Sequence, residues 1–483
     1  LTARITTNIP FRLDRLPWSR WHWVVVIGLG ITWILDGLEV TIVNVIAPTL
    51  TSPQGLGLSD TQIGFAATAY LGGACAGALV FGYLTDRFGR KKLFLITLSW
   101  YLVSTILTAL SPNFAVFALF RALAGMGIGG EYSAVNSAID ELIPATHRGV
   151  ADIAINGSWW FGTLAGSLLA IPLLDGRFIP PSLGWRLAFA MGALLALAVL
   201  LVRRGIPESP RWLLTHGRDA EAERIVGAIE DEVRKETAHE LPPPPAKQLV
   251  LDPRKHRNLL VAATRTMLRT YPQRTILVVT LMITQAFLYN AVFFTQGLTL
   301  TTFFHVAKGE VGLYTIPFAI GNLLGAFALG RFFDTLGRRR MIAGCYFVSG
   351  VLLLATTALF VRGALSAATL TAWWSVMFFF ASAGASAAYL TVSEIFPLET
   401  RAGAIAVVYA VGTLAGGALA PPFYAHLIGS GKPNDLALGW IVGATLMIAG
   451  GVVEIVLGVD AENRPLEEIA APLTEADVRA HAA

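Results

Sequence analysis

Gly82 to Lys92 reads GYLTDRFGRKK, and Gly330 to Arg340 reads GRFFDTLGRRR. Both stretches fit G-x3-D-x2-G-R-[KR]-[KR], and both follow a long apolar run. Their aspartates, Asp86 and Asp334, lie 334 − 86 = 248 positions apart. A second pair follows in the same order: ELIPATHRG from Glu141 to Gly149 and EIFPLETRA from Glu394 to Ala402, offset by 394 − 141 = 253. A third, LGW ending at Trp185 and at Trp440, is offset by 440 − 185 = 255. Three twins in one order, at a nearly constant offset, make the chain two copies of one unit.

Composition places those copies in a membrane. Hydrophobic residues make up 54% of the chain and charged residues only 14%, where a soluble protein carries about 25% charged. The net charge of +4 is small. Its basic residues sit in short loops between apolar runs, which suits membrane topology better than a phosphate-binding face, and no nucleic-acid partner is expected. Cys75 and Cys345 are the two cysteines, one in an apolar run of each copy, so no disulfide framework is expected. The polar opening from Leu1 predicts no cleavable leader.

A helix needs roughly 20 apolar residues to span a bilayer. Twelve runs qualify: Trp23–Pro48, Gln62–Leu84, Leu93–Leu110, Phe114–Ile139, Gly149–Leu174, Trp185–Val202, Thr275–Thr301, Val311–Phe333, Met341–Val361, Ala367–Ser393, Ala402–Ile428 and Ala437–Val459. All are expected as helices, because a lipid-facing backbone must satisfy its own hydrogen bonds. The predicted fold is an all-α membrane protein with twelve transmembrane helices in two six-helix pseudo-symmetric bundles. Segment 1–22 precedes the first bundle at 23–204, a loop at 205–272 joins it to the second bundle at 273–459, and a tail occupies 460–483. Parallel repeats with a site between them suit a transporter.

Loops after even-numbered helices hold Arg87, Arg90, Lys91, Lys92, Arg148, Arg338, Arg339, Arg340 and Arg401, while the others offer Arg177, Lys308, Arg362 and Lys432. That asymmetry predicts both termini in the cytoplasm of a plasma, or inner, membrane. Trp18, Trp21 and Trp23 read as an interfacial belt. The polar stretch Arg203 to Pro272 carries a helical pattern from Asp219 to Lys235. The prolines 242–245 and the basic group Arg254, Lys255, His256 and Arg257 follow, and the proline run predicts an extended spacer.

The doubled D-x2-G-R-[KR] loop, the twelve apolar runs and the central loop together resemble the major facilitator superfamily, over nearly the whole chain. PESPRWLL at Pro207 to Leu214 and SEIFP at Ser393 to Pro397 are similar to the sugar porters. LDGLE at Leu35 to Glu39 and GGEY at Gly129 to Tyr132 resemble aromatic-acid and metabolite:proton symporters. The sugar-reading set is incomplete: Tyr389 replaces a tryptophan, Asn156 replaces a glutamine, and AENRPLEE at Ala461 to Glu468 stands where a P-E-T-K-G is expected. The Q-x4-N of Gln285 and Asn290 survives.

Charges at bilayer depth are functional candidates by default. Asp36 and Glu39 are three apart and share a helical face, and Arg121 and Glu131 lie on the fourth predicted helix. The resemblance implies that Glu39 and Arg121 form the coupling pair. A carboxylate beside an arginine stays charged, and one that loses its partner in a dry site takes a proton. The proton is then the coupling ion, with no cofactor and no metal. Asp36, Glu39, Arg121 and Glu131 are the coupling candidates; Asn156, Trp159, Trp160, Gln285, Tyr289, Asn290 and Tyr389 are the substrate candidates. Asp86, Arg90, Glu141 and Arg148 with Asp334, Arg338, Glu394 and Arg401 form a candidate cytoplasmic gate, since twin acids opposite twin bases can hold one end shut in one state only. GMGIGG at Gly125 to Gly130 matches a dinucleotide loop, but it lies inside an apolar helical run, where small residues serve close packing.

The expectation is a monomeric secondary transporter, not an enzyme, which carries a small-molecule substrate by proton-coupled symport. The cargo is a sugar or a small organic or aromatic acid. A proton-driven drug or metabolite exporter and a transporter-like receptor that moves nothing are the alternatives.

Overall fold

The computed structural model describes residues 5–53, 55–174, 179–203, 207–237, 240–243, 248–251, 259–293, 295–306, 310–418, 420–471 and 473. Arg177, Arg254, Lys255, His256, Arg257 and Lys308 lie outside the described residues, as do two of the four prolines and the side chain of Asp86.

Strand β1 (Ile5–Thr7) and helix α1 (Ile9–Asp14) open the chain. The first copy follows as α2 (Arg20–Thr51), α3 (Asp60–Phe88), α4 (Arg90–Ala109), α5 (Phe114–Leu142), α6 (Arg148–Gly157), α7 (Trp159–Leu174) and α8 (Pro181–Arg203). Between the copies lie α9 (Pro210–Thr215), α10 (Asp219–Thr237), β2 (Leu249–Leu251) and α11 (Leu259–Arg265). The second copy is α12 (Pro272–Val292), α13 (Gln296–Phe304), α14 (Val311–Thr335), α15 (Arg338–Val361), α16 (Ala367–Glu394), α17 (Arg401–Gly412), α18 (Ala420–Gly429) and α19 (Pro433–Leu457). Helix α20 (Leu466–Ile469) lies in the tail.

Ten of these helices are long and apolar enough to cross a membrane: α2 to α5, α8, α12, α14 to α16 and α19. Three expected runs are interrupted instead. Gly149–Leu174 breaks at Ser158, whose hydroxyl donates to the carbonyls of Gly30 and Ile155. Ala402–Ile428 passes through a π-helical turn at Thr413–Ala418. Thr275–Thr301 breaks between Val292 and Gln296. Apolar composition alone carries no record of such breaks, and breaks in spanning helices gather around binding sites.

Packing repeats with the sequence. Helix α3 lies along α5 as α14 lies along α16, and α4 packs on α8 as α15 packs on α19. Across the copies, α6 meets α14 as α17 meets α3. The motif glycines explain the sharp turns: Gly89 and Gly337 have φ of 99° and 100°, which a residue with a Cβ rarely adopts. Close approach explains GMGIGG. A Cβ at Gly125 or Gly129 would lie 2.1 or 1.9 Å from the carbonyl oxygens of Tyr70 and Ala74 on α3, so the run is a helix-packing stripe.

The amino terminus is clamped to the central segment. Strand β1 pairs antiparallel with β2, Ile5 opposite Leu251. Arg12 of α1 and Arg15 just after it bridge to Glu230 of α10, at 2.7 and 2.6 Å. The helix expected at Asp219–Lys235 forms as α10. The tryptophan belt is only partly a belt: Trp23 is exposed, but Trp21 is buried and Trp18 stacks between His22 and His147.

Candidate functional site

Helix α2 presents two carboxylates one turn apart, and the neighbouring helices give them different partners. Asp36 accepts hydrogen bonds from the Tyr70 hydroxyl at 2.6 Å, the Trp159 indole at 2.7 Å and the Tyr132 hydroxyl at 2.9 Å. Glu39 pairs with Arg121 and accepts a longer bond, 3.4 Å, from Thr105. Both acids and Arg121 are buried. The Arg121 guanidinium also lies over the Tyr70 ring, 4.2 Å from its centre, a cation–π contact. The tight α3–α5 packing at the glycine stripe puts Tyr70 and Arg121 within reach of one another.

Asp36 faces a cavity of about 190 Å³ between the copies. Trp33, Tyr70, Tyr132, Asn156, Trp159 and Trp160 line it from the first copy, with Gln285, Tyr289, Phe293, Ser382, Ser386, Tyr389 and Tyr409 from the second. Aromatic contacts close it on two sides. Tyr132 stacks on Tyr409 and Tyr389, with centroids at 4.4 and 5.8 Å. On the other side Trp160 meets Phe293 at 5.3 Å. Asn156 is fixed by the Trp33 indole, which donates to its carbonyl at 2.7 Å, and the Tyr289 hydroxyl donates to Asn322 at 2.9 Å.

The charged motifs form a second site at one end of the molecule. Arg90 pairs with Glu141 at 2.8 Å, and its twin Arg338 pairs with Glu394 at 3.0 Å and with Asp334 at 2.7 Å. Two links cross between the copies: Arg148 lies 3.9 Å from Glu394, and the backbone amides of Gly149 and Val150 donate to Asp334 at 3.2 and 2.7 Å. Arg401 donates to the Phe396 carbonyl. This end is shut.

Most substrate candidates meet at the cavity: Asn156, Trp159, Trp160, Gln285, Tyr289 and Tyr389 all line it. Asn290 does not. Gln285 and Tyr289 are four apart and share a face of α12, but Asn290 is turned about 100° further. It bonds back to the Ala286 carbonyl, close to Gly417 of the π-turn. Glu131 is likewise turned off the face that presents Tyr132, and accepts from the Thr97 hydroxyl of α4 at 3.3 Å.

Sequence reasoning missed further members. Glu208 accepts from the Arg90 backbone amide at 2.9 Å, and Glu462 accepts from the Arg338 amide at 3.3 Å. They are a fourth twin, offset by 462 − 208 = 254, and the constant offset is the signal that finds them. Burial pushes the Glu208 carboxyl up from its ordinary range. Asp14 of α1 bridges Arg148 and Arg211 at 3.1 and 2.9 Å, and Glu467 of α20 reaches Arg211 at 3.2 Å. No local pattern announces these last contacts, because they join both ends of the chain to its middle.

Comparison with known proteins fits this geometry. The family described as "Sugar (and other) transporter" matches residues 21–472. The niacin transporter NiaP of Acinetobacter baylyi is 25% identical over 459 residues, covering 95% of this chain and 98% of that protein. The inner membrane metabolite transport protein YgcS of Escherichia coli is 33% identical over 222 residues, 45% of this chain and 47% of that protein. Among solved structures, the proton:xylose symporter XylE bound to 6-bromo-6-deoxy-D-glucose has a TM-score of 0.77 at 20% identity, covering 93% of this chain and 98% of that one. The partially occluded inward open conformation of XylE from E. coli fits less well, with a TM-score of 0.66 at 19% identity over 90% of this chain and 97% of that one. With a fold shared with XylE and a family match across nearly its whole length, this membrane protein belongs to the sugar (and other) transporter family of the major facilitator superfamily.

Proposed function

We propose that the protein is a proton-coupled symporter of a small polar metabolite. It works by alternating access through twelve membrane-crossing helices in two six-helix bundles, with the broken pairs α6/α7 and α17/α18 each counted as one crossing. It sits in the inner membrane as a monomer with both termini and the motif end in the cytoplasm, uses no cofactor beyond the proton, and releases its cargo chemically unchanged. The four acid–base twins, Asp86/Asp334, Arg90/Arg338, Glu141/Glu394 and Arg148/Arg401, serve as the cytoplasmic gate.

One observation carries the reading: two buried acids on one face of α2 have separate duties. Asp36 lines the cavity, while Glu39 is held by Arg121 away from it, and Tyr70 touches both arrangements. A substrate donor on the open acceptor position of Asp36 weakens its hydrogen bond from the Tyr70 hydroxyl. The ring then shifts under Arg121, the ion pair with Glu39 loosens, and Glu39 takes a proton. An arginine keeps its proton at working pH, so the carboxylate is the group that titrates. Such coupling needs only a differential interaction between two states.

The cavity wall favours a flat ring over a pyranose. Nine aromatic side chains face it, against two amides, Asn156 and Gln285. The relative named as a niacin transporter makes pyridine-ring compounds the first cargo to try. The test is uptake into liposomes holding the purified chain, with nicotinate, nicotinamide, xylose and glucose offered with and without an inward proton gradient. Accumulation of at least one compound only with the gradient supports the reading. Uptake that ignores the gradient, or none by the whole panel, contradicts it.

A further inference from the structure

Resting on the reading of this cavity as the substrate site, we propose that its cargo is a single-ring organic cation, or a ring bearing a protonated nitrogen, which docks on Asp36. Three facts carry the proposal.

The first is charge. Glu39 is neutralised by Arg121, whereas Asp36 is met only by neutral donors, two hydroxyls and an indole. An indole N–H can only donate, so Trp159 fixes that oxygen as an acceptor. Among the described residues, no lysine, arginine or histidine lines the cavity. Arg121 is committed to Glu39, so the cation that pairs with an ionised Asp36 at bilayer depth is the ligand's to supply. The second is acceptor capacity. Asp36 receives three hydrogen bonds, and a carboxylate offers about four acceptor positions, so one remains for a donor from the ligand. The third is the wall. Aromatic faces attract cations through their quadrupole, and a ring of them with one carboxylate is how ammonium groups are held. Nine aromatic side chains line the cavity around Asp36. Size sets the limit. A cavity of about 150 Å³ takes a benzene, so about 190 Å³ holds one ring with one small substituent.

The test is a binding series on the purified full-length chain by isothermal titration, with benzylammonium, benzyl alcohol and benzoate. These share a ring and differ in charge. A hydrogen bond to a charged partner exceeds a neutral one by enough to separate ligands roughly 10- to 100-fold. Benzylammonium is expected to bind that much more tightly than benzyl alcohol, and benzoate more weakly than either. In Asp36→Asn the three should fall within about threefold of one another, and in Asp36→Glu, which keeps the charge, the order should persist. The order in the parent chain decides the proposal even where Asp36→Asn does not fold. Equal binding of all three, or benzoate as the tightest, overturns the cationic cargo but leaves the cavity as the substrate site. No binding by any of the three overturns both.

Discussion

The Arg121 guanidinium lies 4.2 Å from the centre of the Tyr70 ring, and the hydroxyl of the same ring donates to Asp36 at 2.6 Å. One side chain therefore touches the cavity acid and the arginine that holds Glu39. Tyr70→Phe keeps the ring under Arg121 and removes only the link to Asp36. Gradient-driven uptake is expected to fall about five- to tenfold, the value of one lost hydrogen bond of about 1–1.5 kcal/mol, while exchange of labelled cargo continues. Equal losses in both assays would make Tyr70 a packing residue.

Helix α12 offers a comparison of neighbours. Gln285 lines the cavity and Asn290 does not. Loss of a buried polar partner costs about 1–3 kcal/mol, or roughly one to two decades in affinity. Gln285→Ala and Asn156→Ala should weaken ligand binding by that amount. Asn290→Ala should leave affinity within about threefold and instead lower the melting temperature, since it removes the bond to Ala286 beside the π-turn. Titration of the three variants separates site from scaffold.

How much of this was legible in sequence differs by feature. The duplicated motif gave the repeat, and the apolar runs gave the ten long helices, because both signals are local. Glu39 and Arg121 stood out as candidates because intramembrane charges are rare, and the structure pairs them. The placement of Asn290 and Glu131 was not legible: a one-residue step turns a helical side chain by about 100°, and composition does not say which face meets the cavity. The stack of Tyr132 and Tyr409 joins residues on opposite copies, and nothing along the chain marks such a pair. Glu462 was readable in principle from the repeat offset, although the motif around it differs from that around Glu208.

At the motif end, Arg90 is held by Glu141 and Glu208, and Arg338 by Glu394, Asp334 and Glu462. Removing one partner of a buried pair strands the other, at a cost of about 3–5 kcal/mol. Arg338→Ala should therefore favour the state in which this end is open, because Asp334 and Glu394 also carry the links between the copies. Spin-label distances across the end should lengthen in Arg338→Ala and Glu141→Ala, with cargo binding retained. Unchanged distances with normal transport would remove the gate from the account.

The amino-terminal clamp responds to pH in a fixed direction. Burial works against an ionised Glu230, but hydrogen bonds from Arg12 and Arg15 outweigh it and hold the carboxyl below its ordinary range. A lowered folded value means that the contribution is complete above the unfolded value, about 4.3, and is lost as pH falls through the folded one. Residues 9–14 should keep their hydrogen-exchange protection across neutral pH and lose it in acid below about pH 4. Glu230→Gln should lose it already at neutral pH. Full protection in that variant would show that the β1–β2 pairing holds the segment without the charges.

Proton coupling through Glu39 is the central claim, and counterflow set against gradient-driven accumulation in liposomes tests it most directly. Glu39→Gln carries a neutral amide in place of the protonated acid. The account predicts that this variant exchanges labelled cargo across the membrane but no longer accumulates it under an inward proton gradient, and that Arg121→Ala, which leaves the buried Glu39 without its base, loses both activities. Accumulation by Glu39→Gln against a cargo gradient would contradict the account and move coupling to Asp36 or Glu131.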